Sequence, residues 1–292
     1  TTGTFTLMMI PQTFSNATIT LTYNTGTTYI KNISGTWTIN SVYTYKLSKP
    51  VNIGDYYYSD GTWGSIAEHA NSTAKPIAVI FSDSTSLIDK GHGWIHGYAM
   101  ALKESVSSTT WSTNIQWEMG ESNAINTETL MKDDMEGYTH TKDIKDNHLN
   151  VLQNEYPAFY YAINYPVLFP SSSSGWFLPS IGQLYYLLLN LGFKTNATYS
   201  IYYGFNFNED PSICINNLNK YLSNSGVSDI TNFIPSILLW SSSEGEGKEN
   251  TLNNGISTGV CVDNYGAFAF DHAKDQNSFR GEYYHVRSII AF

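Results

Sequence analysis

The stretch that most constrains the fold is SSSSGWFLPSIGQLYYLLLNLG, which runs from Ser171 to Gly192 and contains the most apolar run in the chain. A membrane-spanning helix needs about 20 apolar residues. The dense part of this run, Leu184 to Leu191, is far shorter. We therefore interpret the run as a helix buried in a protein core and not as a membrane anchor.

The sequence also marks both ends of this helix. Ser180 and Gln183 match the capping-box pattern, in which two side chains accept hydrogen bonds from backbone N–H groups at the helix start. Gly192 lies where a left-handed C-cap is expected. The leucines that form the apolar face recur at helical spacing: Leu184, Leu187, Leu188 and Leu191. These signals predict a short core helix from about Ser180 to Gly192.

Composition narrows the class of protein. The chain has 292 residues, enough for one large domain or two modest ones. Only 14% of the residues are charged, whereas 15% are aromatic, and this balance indicates an extracellular surface rich in β-structure. The net charge of −10 argues against binding to nucleic acid or to an anionic membrane surface.

The first 48 residues alternate in the manner of strands. Three segments rich in Thr, Ile, Tyr and Val predict strands at Gly3–Ile10, Ala17–Tyr23 and Trp37–Ser48, with Asn24 and Gly26 at a turn. Three strands of this size are too few to close a core by themselves. We interpret them as the C-terminal part of a β-domain.

The middle of the chain mixes strands and helices. Lys75–Ser82 predicts a buried strand, and Gly93–Glu104 predicts a strand followed by a turn. Thr141 is predicted to cap a helix that has Asp143 in its first turn, and Pro157 is predicted to kink or divide that helical region. A domain of mixed class follows from this alternation.

The last third returns to strand patterns. They cover Ser236–Glu244, Thr258–Asp271 and Tyr283–Phe292. The closing segment VRSIIAF is apolar enough to predict a central strand. Polar loops separate these segments, and no repeat of solenoid length is present.

Two groups of residues are candidate metal ligands. His92 and His96 lie four apart near Asp89, which on a helix would be half a metal site, but the surrounding glycines favour structural or surface histidines. The acidic loop Glu244–Asn250, with Asp263 and Asn264 after it, either holds Ca²⁺ or is a solvated loop, and EF-hand spacing is absent. We interpret the histidines as structural or surface residues and the acidic segment as a solvated loop, and we predict no metal and no cofactor.

Catalytic chemistry is not specified by any motif. The sequence has no GxSxG elbow, phosphate-binding loop, dinucleotide fingerprint or HExxH. Cys214 and Cys261 either pair as a disulfide or remain free thiols, and two cysteines are too few for a thiolate zinc site. We predict that the protein is not an enzyme.

Several stretches taken together resemble a known family. They are KDDMEGYTHTKDI with YPAFYYAINY, then SGWFLPSIGQLYYLLL, then LWSSSE, and last VRSIIAF. In that order they resemble the lectin-like C-terminal domain attached to fimbrillin-type (type V pilus) surface proteins of gut anaerobes. FTLMMIPQTFSNATITLTYN and YTYKLS resemble the closing strands of a fimbrillin β-sandwich.

The resemblance implies an α+β fold in two parts. Residues 1–49 would be a partial β-sandwich of fimbrillin-like strands, and residues 50–292 would be a C-type-lectin-like domain. The Glu-Pro-Asn and Trp-Asn-Asp signatures of calcium-dependent sugar binding are absent, and so are the paired active-site cysteines of the formylglycine-generating relatives. Neither activity is therefore expected.

The family also implies a location and a role. It implies an exported protein on the surface or pilus of a Gram-negative bacterium, lipid-anchored through a segment upstream of Thr1. The expected function is that of a pilus tip or accessory adhesin whose lectin-like domain binds a host, glycan or bacterial ligand. The alternative is a structural subunit with that domain as a non-binding spacer. Other pilin subunits would join it by strand complementation.

Candidate residues follow from the same resemblance. Some lectin-like domains of this type are variable proteins diversified by retroelements between the Trp-Ser-Ser motif and the final Val-Arg strand. In this chain the interval contains the predicted ligand-binding residues Asn264, Tyr265, His272, Asp275, Asn277, Phe279, Tyr283 and Tyr284. A second set is predicted to be structural, with Arg287 paired to an acid such as Glu244: Trp176, Pro179, Trp240, Ser242 and Arg287.

Overall fold

The computed structural model describes most of the chain. The described residues are 8–22, 28–45, 49–113, 128–193, 195–200, 204–207, 209–245, 256–263, 266–273, 278–279 and 282–292. The protein is of mixed α+β class, as predicted. It divides into two compact units, Thr1–Pro50 and Val51–Phe292.

Strands and helices are interspersed along the chain. The strands are β1 (Gln12–Thr22), β2 (Thr28–Trp37), β3 (Tyr56–Tyr58), β4 (Trp63–Gly64), β5 (Pro76–Ser82), β6 (Tyr98–Ala101), β7 (Thr198–Ser200), β8 (Gly204–Phe207), β9 (Ile237–Gly245), β10 (Ile256–Asp263), β11 (Gly266–Ala273), β12 (Ser278–Phe279), β13 (Glu282–His285) and β14 (Ile289–Ala291). The helices are α1 (Leu87–Gly91), α2 (Glu128–Asp133), α3 (Gly137–Asn147), α4 (Leu152–Glu155), α5 (Pro157–Ile163), α6 (Ile181–Leu187), the π-helix Leu188–Phe193 and α7 (Pro211–Asn224).

The first unit contains one antiparallel pair, β1 with β2. The strand predicted over Trp37–Ser48 does not form in the described part, because Asn40 has a φ of 59° and the Thr38 hydroxyl hydrogen-bonds Ser41 and Tyr43. These contacts turn the chain back on itself. Met8–Ile10 is not a strand either, while Gly3–Leu7, Asn24 and Gly26 lie outside the described residues.

The second unit is built on two sheets. One sheet has the order β14-β6-β5-β3-β4 with every neighbouring pair antiparallel. The other has the order β12-β13-β9-β10-β11-β8-β7, in which β13 runs parallel to β9. Buried side chains of α6, the π-helix and α7 form the largest hydrophobic cluster with residues from both sheets.

The predicted buried strand is confirmed as β5, whose five inner residues are all buried. VRSIIAF was predicted to be a central strand, but β14 lies at the end of the sheet order and pairs with β6. Its other side is covered by a bridge in which the Phe177 and Ile289 N–H groups each donate to the other residue's carbonyl at 3.0 Å. The bridge satisfies backbone groups at the outer edge, and the burial of all three β14 residues accounts for their apolar side chains.

The capping box at the start of α6 is confirmed. The Ser180 N–H donates to Gln183 Oε1 at 2.9 Å, and the Gln183 N–H donates to Ser180 Oγ at 3.4 Å. The C-cap predicted at Gly192 is wrong, because the chain continues through this residue as a π-helix. A Cβ at Gly192 would lie 2.5 Å from Cys214 Sγ, so the glycine serves close packing against α7.

The cap predicted at Thr141 is also wrong, because α3 begins at Gly137 and places this threonine in its middle. Thr141 is buried, and its Oγ1 accepts a hydrogen bond from the Leu178 N–H at 3.2 Å. Pro157 divides the helical region as predicted, since α4 ends at Glu155 and α5 begins with the proline at its first position.

Candidate functional site

Four of the predicted ligand-binding residues lie on strands of the sheet that contains β9 to β13: His272, Phe279, Tyr283 and Tyr284. Tyr283 and Tyr284 are adjacent on β13, and side chains on a strand alternate between its faces. Tyr283 is 55% exposed, whereas Tyr284 is fully buried with its ring stacked on Trp240 at a centroid distance of 4.0 Å. Tyr284 is therefore a core residue, which corrects the prediction that it faces a ligand.

Two further candidates have backbone positions on strands. His272 lies on β11 opposite Ser257, and Phe279 lies on β12 opposite Glu282. Four steps separate β12 from β11 in the sheet order, so these two positions are roughly 19 Å apart at the usual strand spacing. Asn264, Tyr265, Asp275 and Asn277 lie outside the described residues. The candidates with known positions thus spread across a sheet and do not line one small pocket.

Three of the motifs that carried the resemblance meet in one buried polar cluster: KDDMEGYTHTKDI, SGWFLPSIGQLYYLLL and LWSSSE. Asp134 is its centre. Its carbonyl accepts from Ser180 Oγ at 2.5 Å and from the Gly182 N–H at 3.1 Å, and its carboxylate accepts from Ser243 Oγ. The Ser242 N–H donates to the Pro179 carbonyl at 2.7 Å. Hydrogen bonds therefore join segments that are far apart in sequence, and the low dielectric of the protein interior strengthens them.

Part of this cluster has the residue types of a catalytic triad. His140 Nδ1 lies 3.1 Å from Ser242 Oγ, and His140 Nε2 lies 3.8 Å from Asp134 Oδ1. Ser242 has no exposed surface, so its hydroxyl is out of reach of a substrate. We therefore assign these three side chains to positioning the start of α6 against β9. The prediction that Ser242 is structural is consistent with this burial.

Both tryptophans predicted to pack the core do so. Trp176 is buried and its Nε1 donates to the Val167 carbonyl at 2.7 Å. Trp240 is fully buried and its Nε1 donates to the Thr109 carbonyl at 3.0 Å. Each indole therefore combines a large apolar contact with a satisfied N–H group.

Arg287 is buried but does not pair with Glu244 as predicted. Its Nη1 donates to the carbonyls of Ala101 and Leu102 at 3.1 and 3.2 Å, and its Nη2 donates to the Thr231 carbonyl at 2.6 Å. Burial lowers the pKa of the guanidinium to about 10, which leaves it charged at neutral pH. The charge is thus held by backbone oxygens, which sequence patterns do not reveal.

A partly buried contact joins β13 to the chain after β6. His285 Nδ1 lies 2.7 Å from Glu104 Oε2. Burial alone would raise the pKa of Glu104, but the hydrogen bond and charge of His285, together with the charge of Arg287, outweigh it and lower the pKa. The contact fixes the strand that carries Tyr283.

The candidate metal ligands do not converge. His92 stacks on Trp94 and His96 packs against Trp63, with centroid distances of 4.9 and 4.4 Å. Asp89 is buried and accepts a hydrogen bond from Tyr98 Oη at 2.5 Å. Across the described ranges, no group of three His, Cys, Asp or Glu residues is arranged to hold a metal ion.

The acidic loop is described only up to Gly245. Glu244 is buried at the end of β9, which removes it from a solvated loop, and residues 246–250 and Asn264 lie outside the described ranges. Cys214 is a free, buried thiol on α7, so it does not form the disulfide that the sequence left open, and burial raises its pKa. Within the described residues, no helix has the length and apolarity needed to cross a bilayer.

Comparisons with known proteins identify a fold and no family. No protein-family model and no curated protein matches the chain. The structure is similar to that of a fimbrial protein from Bacteroides ovatus, with a TM-score of 0.50 and 16% sequence identity. The match covers 94% of this chain and 57% of the fimbrial protein, so this chain spans a little over half of that protein's length. The fold is therefore shared with a fimbrial protein.

Proposed function

We propose that this protein is a pilus-associated surface protein that acts as a tip or accessory adhesin. The observation that carries the proposal is the fold shared with a fimbrial protein over 94% of the chain. In this proposal the protein is exported and works at the cell surface. Val51–Phe292 is a C-type-lectin-like domain that presents the ligand surface, and Thr1–Pro50 belongs to a pilin-like module.

The first unit supports an assembly role. Among its described residues the only strand pairing is that of β1 with β2, and an isolated two-stranded hairpin is marginally stable in water. Apolar side chains are exposed on and after the hairpin, with Ile30 at 67%, Ile39 at 75% and Val42 at 94%. A strand from a neighbouring pilin subunit would extend the hairpin by main-chain hydrogen bonds and cover part of this surface.

The second unit supports ligand binding over a broad surface. Tyr283 is an exposed, rigid aromatic residue on a strand anchored by the Glu104–His285 contact. The proposed ligand-binding set is Tyr283 together with Asn264, Tyr265, His272, Asp275, Asn277 and Phe279. Tyrosine and asparagine side chains of this kind make adaptable contacts in binding surfaces. The separation between β11 and β12 fits a macromolecular ligand better than a small molecule.

Binding to glycan and host-protein arrays tests the adhesin role. We expect the wild-type protein to bind at least one array component, and replacement of Tyr265, Asn277 and Tyr283 by Ala to abolish that binding. Tyr161→Ala is the matched control, because Tyr161 is 36% exposed on α5 and outside the proposed surface. Absence of binding across both arrays, or equal loss with the control, contradicts the proposal.

Deletion of residues 51–292 separates the adhesin from a structural subunit. An adhesin that lacks this unit should still be incorporated into pili, as seen by immunoelectron microscopy, while cell adhesion is lost. Pili that fail to assemble without residues 51–292 would instead favour a stalk or capping subunit whose second unit is a spacer.

A further inference from the structure

The helix α1 directs an acid, and not its apolar side chains, into the protein interior. Leu87 is 85% exposed and Ile88 is 50% exposed. Among the five residues of this helix, the buried one is Asp89. The Asp89 N–H donates to Ser86 Oγ at 3.1 Å, and the Asp89 carbonyl accepts from the Trp94 N–H at 3.2 Å. The state of this one carboxyl group therefore affects how firmly α1 is held.

The two carboxyl oxygens of Asp89 differ in their surroundings. Oδ2 accepts a hydrogen bond from Tyr98 Oη, on β6, at 2.5 Å. Oδ1 is enclosed by protein and has no hydrogen-bond partner among the described residues. A buried carboxylate oxygen without a donor is costly, because nothing replaces the hydration it has lost. The geometry therefore favours the neutral, protonated form of this acid in the folded protein.

The charges around Asp89 are balanced and do not compensate for its burial. Burial raises the pKa of its carboxyl, and the hydrogen bond from Tyr98 only partly offsets this. The negative charge of Glu136, just before α3, raises the pKa further, while a positive charge on His92, just after α1, would lower it. The ammonium group of Lys90, also on α1, donates to a serine hydroxyl in the β5–α1 loop at 3.0 Å. Among the described residues, no ion pair joins that ammonium group to Asp89.

The Tyr98 hydroxyl has two acceptors within reach. One is Asp89 Oδ2 at 2.5 Å, and the other is the Met135 carbonyl oxygen at 3.4 Å. The Ser86 N–H donates to the same hydroxyl at 2.9 Å, which occupies one of its two lone pairs. Burial raises the pKa of Tyr98, so the hydroxyl keeps its proton. That single proton is shared between an acid on α1 and a carbonyl between α2 and α3.

Protonation of Asp89 decides which acceptor the Tyr98 proton serves. When Asp89 is ionised, Tyr98 donates to its carboxylate. When Asp89 carries a proton on Oδ2, that proton is donated to the second lone pair of Tyr98 Oη, and the Tyr98 proton turns to the Met135 carbonyl. The Met135 carbonyl also accepts from Gln183 Nε2 at 3.0 Å, and Gln183 is the capping-box residue of α6. Two hydrogen bonds thus couple the acid on α1 to the start of α6.

We propose that Asp89, Tyr98 and Met135 form a proton-operated hydrogen-bond switch, which holds α1 firmly when Asp89 is protonated and loosens it when Asp89 ionises. Because the folded-state pKa of Asp89 is raised, the stabilisation is fully present below the unfolded value of about 3.9 and is lost as the pH rises through the folded value. The direction is opposite to that expected for Glu104, whose pKa is lowered. The switch goes beyond the adhesin role and uses none of its residues.

NMR titration of the full chain tests the switch without any substitution. We expect the Asp89 Cγ resonance to titrate with a midpoint above about 3.9, the value of an unperturbed aspartate. The side-chain amide of Gln183 should shift with the same midpoint, because the Met135 carbonyl gains the Tyr98 donor when Asp89 is protonated. Tyr98→Phe removes the hydroxyl, so it should abolish the response of Gln183 to the titration of Asp89.

Amide hydrogen exchange measures how firmly α1 is held. The protection factors of the Lys90, His92 and Trp94 N–H groups, which bond within and just after α1, should fall about tenfold for each unit by which the folded pKa of Asp89 exceeds the unfolded one. Asp89→Asn cannot ionise, and its amide donates to Tyr98 as the protonated acid does. This variant should keep high protection at alkaline pH.

Asp143→Asn is the matched control, because it removes an exposed carboxylate on α3 and should behave as wild type. Three results would overturn the proposal. They are an Asp89 midpoint at or below about 3.9, a Gln183 amide that does not follow Asp89, and protection in Asp89→Asn that falls with pH as steeply as in wild type. Array binding by the wild-type protein is a separate readout, so failure of the switch is distinguishable from failure of the adhesin proposal.

Discussion

The two units differ in how much apolar surface they bury. Among the described residues of Thr1–Pro50, Ile33 is the one buried hydrophobic side chain, whereas Val51–Phe292 contains three clusters of buried hydrophobic residues. The first unit pairs two strands, and the second surrounds its sheets with helices. Burial of apolar surface is the main favourable contribution to folding. The second unit therefore has the means to fold by itself, while the first depends on further contacts.

The largest test of this difference is a pair of tryptophan substitutions. Trp240→Ala should reduce the free energy of unfolding by about 3–5 kcal/mol, because it empties a fully buried site. Trp37→Ala removes a half-buried ring that packs on Phe14 in the first unit, and should leave the main unfolding transition unchanged. Urea unfolding followed by circular dichroism measures both. Equal losses would break the contrast between the units.

A glycine pair tests how tightly the second unit is packed. A Cβ at Gly182 would lie 2.4 Å from the Asp134 carbonyl oxygen, so Gly182→Ala should cost about 1–3 kcal/mol. A Cβ at Gly91, on α1, meets nothing within 4 Å, so Gly91→Ala should be neutral or slightly stabilising. Thermal unfolding compares the two. If Gly182→Ala caused no loss of stability, the backbone around Asp134 would have to shift at little cost to make room for the Cβ.

The contact between Glu104 and His285 predicts a pH dependence in the second unit. The pKa of Glu104 is lowered in the folded state, so its contribution is present above the unfolded pKa of about 4.3 and is lost as pH falls through the folded value. Glu104→Gln should therefore destabilise the protein by roughly 1–2 kcal/mol at pH 7.

The difference between Glu104→Gln and wild type should shrink towards zero near pH 3, where the wild-type carboxyl is also protonated. Urea unfolding at several pH values measures it. Asp143→Asn, at an exposed carboxylate, provides the control and should show little effect at any pH. A penalty for Glu104→Gln that stays constant with pH would contradict the assignment.

The smallest effect is expected in the first unit. Val42 is 94% exposed, so Val42→Ser should change the free energy of unfolding by less than about 0.5 kcal/mol. Differential scanning calorimetry of the isolated chain measures this. A larger loss would mean that Val42 is covered in solution, which would narrow the contrast between the two units.

Local signals were sufficient where the deciding contacts are close in sequence. The capping box of Ser180 and Gln183 involves residues three apart, and Pro157 acts on its own helix. The buried strand β5 was recognisable from a short apolar run rich in β-formers. Each of these features is decided by a few neighbouring residues.

Sequence signals gave wrong predictions where the local structure depends on contacts between residues that are far apart in sequence. Thr141 is a good cap residue, but it serves the backbone of Leu178 and lies inside a longer helix. Gly192 is a typical C-cap, yet it is needed for contact with Cys214. The orientation of Tyr284 depends on pairing with β9, and the sequence does not give the phase of that strand. Of the predicted ligand-binding residues, Tyr283 is exposed and Tyr284 is buried, and the sequence alone did not separate the two.

The way in which Arg287 is held has a consequence for how this protein can diverge. Its guanidinium donates to the carbonyls of Ala101, Leu102 and Thr231. A carbonyl is present at every position whatever the side chain, so these bonds constrain the path of the backbone and do not by themselves require particular side chains there. Burial still constrains the side chains of Ala101 and Leu102, whereas the half-buried Thr231 can be substituted without loss of its bond to the arginine.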